Sequence, residues 1–276
     1  FKRFLKDESV LLKILHRDGG LGREVCLARA AVIDSIIFHL FDAALQIAPA
    51  KSRQKRPVMA VAAIGGYGRA ELSPHSDIDI QFLCEDRLLR GTNPDEYLQS
   101  VIDTVLYLLW DLGLKIGHSV RRVRDCVEEA NKDMQSKTAL IESRLVAGDS
   151  TLFKEMERQV QAKCVDSHVE EYLAMSIEDQ SARREKFGGA VTMQEPNIKN
   201  GCGGLRDYQN LRWMMHFKCG VRLVEDLETE KQISKADAEK LEAAYSFLLR
   251  VRSELHYQLE RPVDALTKAV QPKVAW

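Results

Sequence analysis

The stretch VMAVAAIGGYGRAELSPHSDIDIQFL, Val58 to Leu83, decides the fold. Val58 to Ile64 is an unbroken apolar run, the pattern of a strand buried on both faces. Gly65 and Gly66 lack a Cβ, so the backbone can turn sharply there and a bulky group can come close. Tyr67 to Leu72 is read as a turn of helix whose first N–H groups point over the glycines. A helix start preceded by glycine is an anion site, most often for phosphate. In Asp77-Ile78-Asp79-Ile80 successive side chains alternate, which puts the two aspartates on one face and the two isoleucines towards a core. Two carboxylates on one strand face repel unless a cation lies between them. Hard oxygen donors of this kind suit Mg²⁺, which takes one or two carboxylates and completes its shell with substrate phosphates. Taken singly, GG is usually a turn and DxD usually a solvated strand edge. The order strand, GG, about ten residues, DxD is far more restrictive, and it describes nucleotidyl transfer.

That order resembles the nucleotidyltransferase superfamily signature, a GG or GS turn followed by a DxD strand. The longer segment GGYGRAELSPHSDIDI, Gly65 to Ile80, is similar to the bacterial PII-protein uridylyltransferase/uridylyl-removing family, where GGYGRGEL and PxSDIDL occur in the same order. Ala70 stands where that family usually has glycine. A second segment, Pro196 to Trp213, PNIKNGCGGLRDYQNLRW, resembles the family's NxKxGxGGLRD. Read by physics alone, it is a glycine-rich loop feeding a helix, and packing between domains explains it equally well. WDLGLKIGHSVR, Trp110 to Arg121, is similar to a WDLGLxxGHSVR segment of the same family.

The resemblance implies an α/β (α+β) nucleotidyltransferase core with a small mixed sheet, flanked by an N-terminal helix and a C-terminal helical bundle. It implies Mg²⁺-dependent transfer of UMP from UTP to a tyrosine hydroxyl of a PII-type signalling protein, with release of pyrophosphate. Asp77 and Asp79 are then the catalytic, metal-holding residues. Gly65, Gly66, Arg69 and Ser76 are the nucleotide-binding ones. Superfamily members usually add a third carboxylate on a neighbouring strand, yet Lys115 to Arg121 carries none. His118 or Arg121 there can contact phosphate, or His118 can simply pack against the sheet. Glu142, in TALIESRLVAGD (Thr138 to Asp149), is either the third acidic ligand or a surface glutamate on a helix. Lys199 and Arg206 can reach either the nucleotide phosphates or the acidic residues around them, and neither is read as catalytic.

Two alternatives stay open. One keeps the chemistry and changes the acceptor to another protein or a small molecule. The other is a regulatory module that binds nucleotide without turnover, which the missing carboxylate favours and the intact Asp77/Asp79 pair opposes. The family's removing reaction belongs to a domain with an adjacent His-Asp pair. The seven histidines here form none, so the chain is not expected to catalyse removal.

Composition narrows the classes. With 276 residues the chain is long enough for two domains. A formal net charge of −1 with interspersed signs gives no general nucleic-acid or membrane surface. The six cysteines show no CxxC pair and no zinc spacing, and read as reduced thiols of a cytosolic protein. No apolar run is read as spanning a bilayer. The chain starts at Phe1 and stops at Trp276 within an ongoing segment, and is read as a piece of a longer protein.

Periodicity supplies the rest. Phe1 to Ile14 is expected to be helical, and Arg23 to Ile47 is a long amphipathic helix. Pro49 to Pro57 is a basic connector. Asp95 to Leu112 is a helix with Leu98, Val101, Ile102, Val105 and Leu109 on one side, ended by Gly113. Leu114 to Val123 is a strand, and the chain from Arg124 is helical. Ser150 to Lys186 and Val221 to Leu259 are helical. The expected division is 1–52 as an N-terminal helical segment, 53–149 as the transferase core and 150–276 as a helical domain.

Overall fold

A computed structural model describes residues 1–49, 57–229 and 232–275, so residues 50–56 of the basic connector lie outside the described ones. Two compact units emerge. One comprises Phe1–Leu11, Leu27–Leu72 and Ser76–Ser167, the other Leu12–Cys26, Ser73–His75 and His168–Trp276.

The first unit is built on the apolar run. Its residues form strand β1, Met59–Ala63, in which every side chain is buried. Strand β2, Ile78–Cys84, pairs with it antiparallel. After a 3-10 turn, β3 (Leu89–Arg90) and β4 (Asn93–Pro94) make a short hairpin. Strand β5, Ile116–Arg121, pairs parallel with β2, and β6, Arg144–Gly148, pairs antiparallel with β1. The mixed sheet therefore runs β5-β2-β1-β6.

Alternation along the strands sorts the side chains between two apolar layers. Ile78, Ile80 and Phe82 of β2 cluster with Ile33, Ile37, Leu40 and Phe41 of helix α2 (Gly22–Ile47) and with Leu98, Val101 and Val105 of helix α4 (Glu96–Asp111). Ala60, Ala62 and Leu83 cluster instead with α5 (Val123–Lys132), α6 (Met134–Ile141) and α7 (Ser150–Val160). Each fully buried aliphatic side chain contributes roughly 1.5–3 kcal/mol. Both layers lock the strand register, because a one-residue slip would turn Asp79 into the apolar layer against α2 and α4.

Helix ends are set locally. Asp95, Asp133 and Asp149 each accept a hydrogen bond from the N–H three residues on, capping α4, α6 and α7. α1 (Lys2–Arg17) and α2 match their periodic patterns. α2 also carries an 18-residue window with mean hydropathy 1.6, long and apolar enough by composition to cross a membrane, contrary to the expectation that no run is. Its Ile33, Ile36, Ile37 and Ala44 are fully buried within the unit, and 39% of that window is buried.

Two expectations need correction. The helical turn after the first strand is α3, Gly65–Gly68, two residues earlier than Tyr67 to Leu72. Gly65 adopts φ +56°, a conformation open to glycine, and this lets the turn start at once. Thr138 to Asp149 is not continuous helix. α6 ends at Ile141, Glu142 is its C-cap, and β6 follows.

The second unit is helical: α8 (Val169–Phe187), α9 (Leu205–Cys219), α10 (Val224–Thr229), α11 (Lys235–Leu259) and α12 (Gln271–Val274). Tyr208 and Tyr245 stack at 3.8 Å between centroids, within a cluster that includes Leu205, Val224 and Leu249. The glycine loop before α9 satisfies itself. Asn197 Oδ1 accepts from the N–H groups of Lys199 and Asn200, and Gly203 N–H donates to Asp207. Arg183 ties Asp207 to α8 at 3.1 Å, and the Arg206 guanidinium lies 5.0 Å from the Trp213 ring centroid. These contacts give the loop a packing role inside this unit.

Ala70, the departure from the resembled family, sits at φ +58°. A left-handed conformation costs a non-glycine residue about 1–2 kcal/mol, partly offset by glycine's greater unfolded-state freedom. Ala70→Gly should stabilise the chain by about 0.5–1 kcal/mol, read as a higher denaturant midpoint at unchanged slope. An unchanged or lower midpoint would contradict the strain.

Candidate active site

The glycine turn and β2 meet because β1 and β2 pair. The ladder ends at Ala63 opposite Ile80, and one further bond runs from Ile64 N–H to the Asp79 carbonyl at 3.0 Å. Gly65 comes next and lies beside the Asp79 carboxylate: a Cβ built on it would be 3.9 Å from Asp79 Oδ2. The turn closes on itself, with the N–H groups of Gly68, Arg69, Ala70 and Glu71 donating to the carbonyls of Ile64, Gly65, Tyr67 and Gly66.

Its glycines are not equivalent. Gly65 is required by its positive φ. A Cβ on Gly66 would meet only ordinary contacts, the nearest being Arg69 Nη2 at 3.7 Å. A Cβ on Gly68 would fall 2.3 Å from the Glu142 carbonyl oxygen, so the turn packs there on bare backbone. Gly68 was not singled out from the sequence, because its partner lies more than seventy residues away.

Asp79 stands on β2, half-buried, between the buried Ile78 and Ile80. Asp77 does not share the strand as expected. It is exposed and precedes Ile78, where pairing with β5 begins. Ser76 is half-buried beside it.

Asp79 opens into a cleft of about 380 Å³ formed by the glycine turn, β2, β5 and α6. Gly65, Asp79, Gly117, His118, Ser119, Arg121, Gln135 and Ser136 line it. Gly117 is opposite Asp79 in the parallel register, and a Cβ there would fall 2.3 Å from Asp79 Oδ1. This is why β5 carries no third carboxylate at that position: the space is filled by the Asp79 carboxylate. The Ser119 hydroxyl is buried and has no hydrogen-bond partner among the described residues. Arg121 donates to Gln81 Oε1 at 3.5 Å. His118 is exposed, its ring 6.4 Å from that of Trp110. Gln135 and Ser136 escaped the sequence reading. The Asp133 cap two and three residues before them was the available signal.

Arg69 is held by carboxylates. Its Nε donates to Glu71 and its Nη1 to Glu142, both at 2.5 Å, with all three side chains at most 10% exposed. Glu142 thus engages an arginine of the turn. Among the described residues no group of three or more His, Cys, Asp or Glu side chains could hold a metal ion. Asp79 lines the cleft, whereas Asp77, exposed just before β2, does not; both are hard oxygen donors of the kind Mg²⁺ takes one or two at a time together with substrate phosphates.

Gly117→Ala should leave the fold in place, since the clash falls on the end of a side chain, yet displace the Asp79 carboxylate. Circular dichroism should be unchanged while nucleotide affinity in the presence of Mg²⁺ falls at least about tenfold. Gly68→Ala meets backbone instead and should destabilise the chain by about 2 kcal/mol or more, whereas Gly66→Ala should change stability by less than about 0.5 kcal/mol. Equal effects of the two substitutions on the denaturation midpoint would contradict this geometry.

Comparison with known proteins follows the two motifs. Residues 171–276 match the family model described as GlnD PII-uridylyltransferase. Bifunctional uridylyltransferase/uridylyl-removing enzymes of Erythrobacter litoralis and Rhodospirillum rubrum are 34% and 35% identical over 255 and 257 residues, covering 92% and 93% of this chain. That of Cereibacter sphaeroides is 36% identical over 258 residues. The chain spans 27% of the length of each of these relatives. Over nine-tenths of its length, then, the chain is related by sequence to the bifunctional uridylyltransferase/uridylyl-removing enzymes, the family its motifs resemble.

Proposed function

We propose that the chain is the transferase segment of a cytoplasmic enzyme that moves UMP from UTP to a tyrosine hydroxyl of a PII-type protein and releases pyrophosphate. The observation that carries this reading is the placement of the Asp79 carboxylate beside Gly65, both lining one cleft. The acceptor oxygen attacks the α-phosphorus, the bond from that phosphorus to the bridging oxygen of pyrophosphate breaks, and the hydroxyl proton passes to solvent.

In this reading the Gly65–Gly66 turn seats the β- and γ-phosphates, and Ser76 hydrogen-bonds a phosphate oxygen. Asp77 and Asp79 would hold Mg²⁺, which supplies Lewis-acid activation of the hydroxyl and charge neutralisation of the leaving group. Arg69, locked by Glu71 and Glu142, keeps the turn rigid with its Nη2 beside Gly66. UTP and the PII-type acceptor come from the relatives' names and family description. The removing half of those names is not assigned to this chain, which lacks any His-Asp pair.

A second reading, a module that binds nucleotide without turnover, is favoured by the absence of a three-ligand group among the described residues. Turnover separates the two. Incubation with UTP labelled at the α-phosphate and a PII-type acceptor should label the acceptor. Asp77→Asn and Asp79→Asn should each cut the rate at least about a hundredfold with the fold intact. Nucleotide binding without label transfer would select the regulatory module, and wild-type rates in both variants would remove the aspartates from the site.

A further inference from the structure

Asp34 is a carboxylate in the middle of the apolar helix α2, between the fully buried Ile33 and Ile36. Partial burial of such a group is costly unless its oxygens are satisfied. Tyr67 Oη donates to Asp34 Oδ1 at 2.6 Å. Arg144 of β6 adds a two-pronged grip, Nη1 to Oδ2 at 2.7 Å and Nη2 to Oδ1 at 3.0 Å. Its guanidinium also lies 5.5 Å from the Tyr67 ring centroid, and its Nη2 is 3.5 Å from the Tyr67 carbonyl. Burial and the adjacent Asp34 push the Tyr67 hydroxyl well above its usual pKa, so it remains a donor.

Tyr67 is the middle of the GGYG turn and is wholly buried. A phenylalanine would fill the same apolar space, so the hydroxyl serves the bond to Asp34. Two residues earlier in the chain, Gly65 faces Asp79. A turn with three glycines among four residues is intrinsically loose, and binding a polyphosphate to it would first require ordering it.

We propose that Asp34 is a positioning residue for the nucleotide site. Through Tyr67 and Arg144 it holds the glycine turn in place against Asp79, so that the phosphates of a nucleoside triphosphate meet a preformed turn. This inference rests on the nucleotide-binding reading of the cleft.

The test compares the wild-type chain with Tyr67→Phe, Asp34→Asn and Arg144→Lys, the last keeping the charge without the fork. The probes are calorimetric UTP affinity, with and without Mg²⁺, and amide hydrogen exchange of the nucleotide-free chain. Tyr67→Phe and Asp34→Asn should each weaken UTP binding about tenfold and speed exchange at residues 68–71, with β1 and β2 still protected. The double variant should bind no more weakly than the worse single one, because both act on the same Tyr67–Asp34–Arg144 link. Arg144→Lys should behave like Asp34→Asn. Wild-type affinity and exchange in the variants would overturn the inference while leaving the nucleotide reading intact. Faster exchange spread equally over β1, β2 and the turn would also overturn it, as a purely structural role. Failure of the wild-type chain to bind UTP at all would refute the functional reading itself, and the inference with it.

Discussion

The candidate site depends on one hydrogen-bond register. Because Ala63 faces Ile80 and Ile64 N–H bonds the Asp79 carbonyl, the chain leaves β1 at a point where Gly65 must lie beside Asp79. A shift of one residue would send Asp79 into an apolar layer and bring a large hydrophobic side chain to the turn. The two helical layers that fix the register are therefore as much part of the site as the residues lining the cleft. Fully buried Ile33 and Ile37 of α2, with Val101 and Val105 of α4, secure one side, and Leu83 with the α5–α7 cluster secures the other.

Charge around the turn is arranged to immobilise. Arg69 bridges Glu71 and Glu142, and Arg144 grips Asp34 beneath Tyr67. Arginine suits both positions because its planar fork can satisfy more than one acceptor at once. β6 and the residues before it supply the partners from the far side of β1: the Glu142 carboxylate, the Glu142 carbonyl against Gly68, and the Arg144 guanidinium. Asp79, by contrast, opens into the cleft, with Gly117 making room for it.

Much of this was legible in the sequence. β1 showed itself as an apolar run because both its faces are buried. α2 and α4 showed themselves as stripes because each buries one face. The GG pair marked the turn, where the positive φ of Gly65 calls for glycine. What stayed hidden was non-local. RLVAG, Arg144 to Gly148, has five residues directly after a helix and no turn signal, and it becomes a strand by pairing with β1. Glu142 reads as a possible metal ligand until the fold brings Arg69 to it across 73 positions. Gly68 and Gly117 look like spare glycines until the Glu142 carbonyl and the Asp79 carboxylate are seen against them. The start of α3 was missed by two residues because a positive φ at Gly65 does not show in a residue pattern.

The central claim is that the glycine turn and the aspartates form a metal-assisted nucleotide site. Calorimetric titration of the chain with UTP, ATP, CTP and GTP, each with and without Mg²⁺, tests it most directly. The account predicts binding that requires Mg²⁺ and favours UTP. Metal-dependent binding that favours another nucleotide would keep the chemistry and discard the uridylyl assignment. No binding to any of the four, in a chain shown to be folded, would contradict the account.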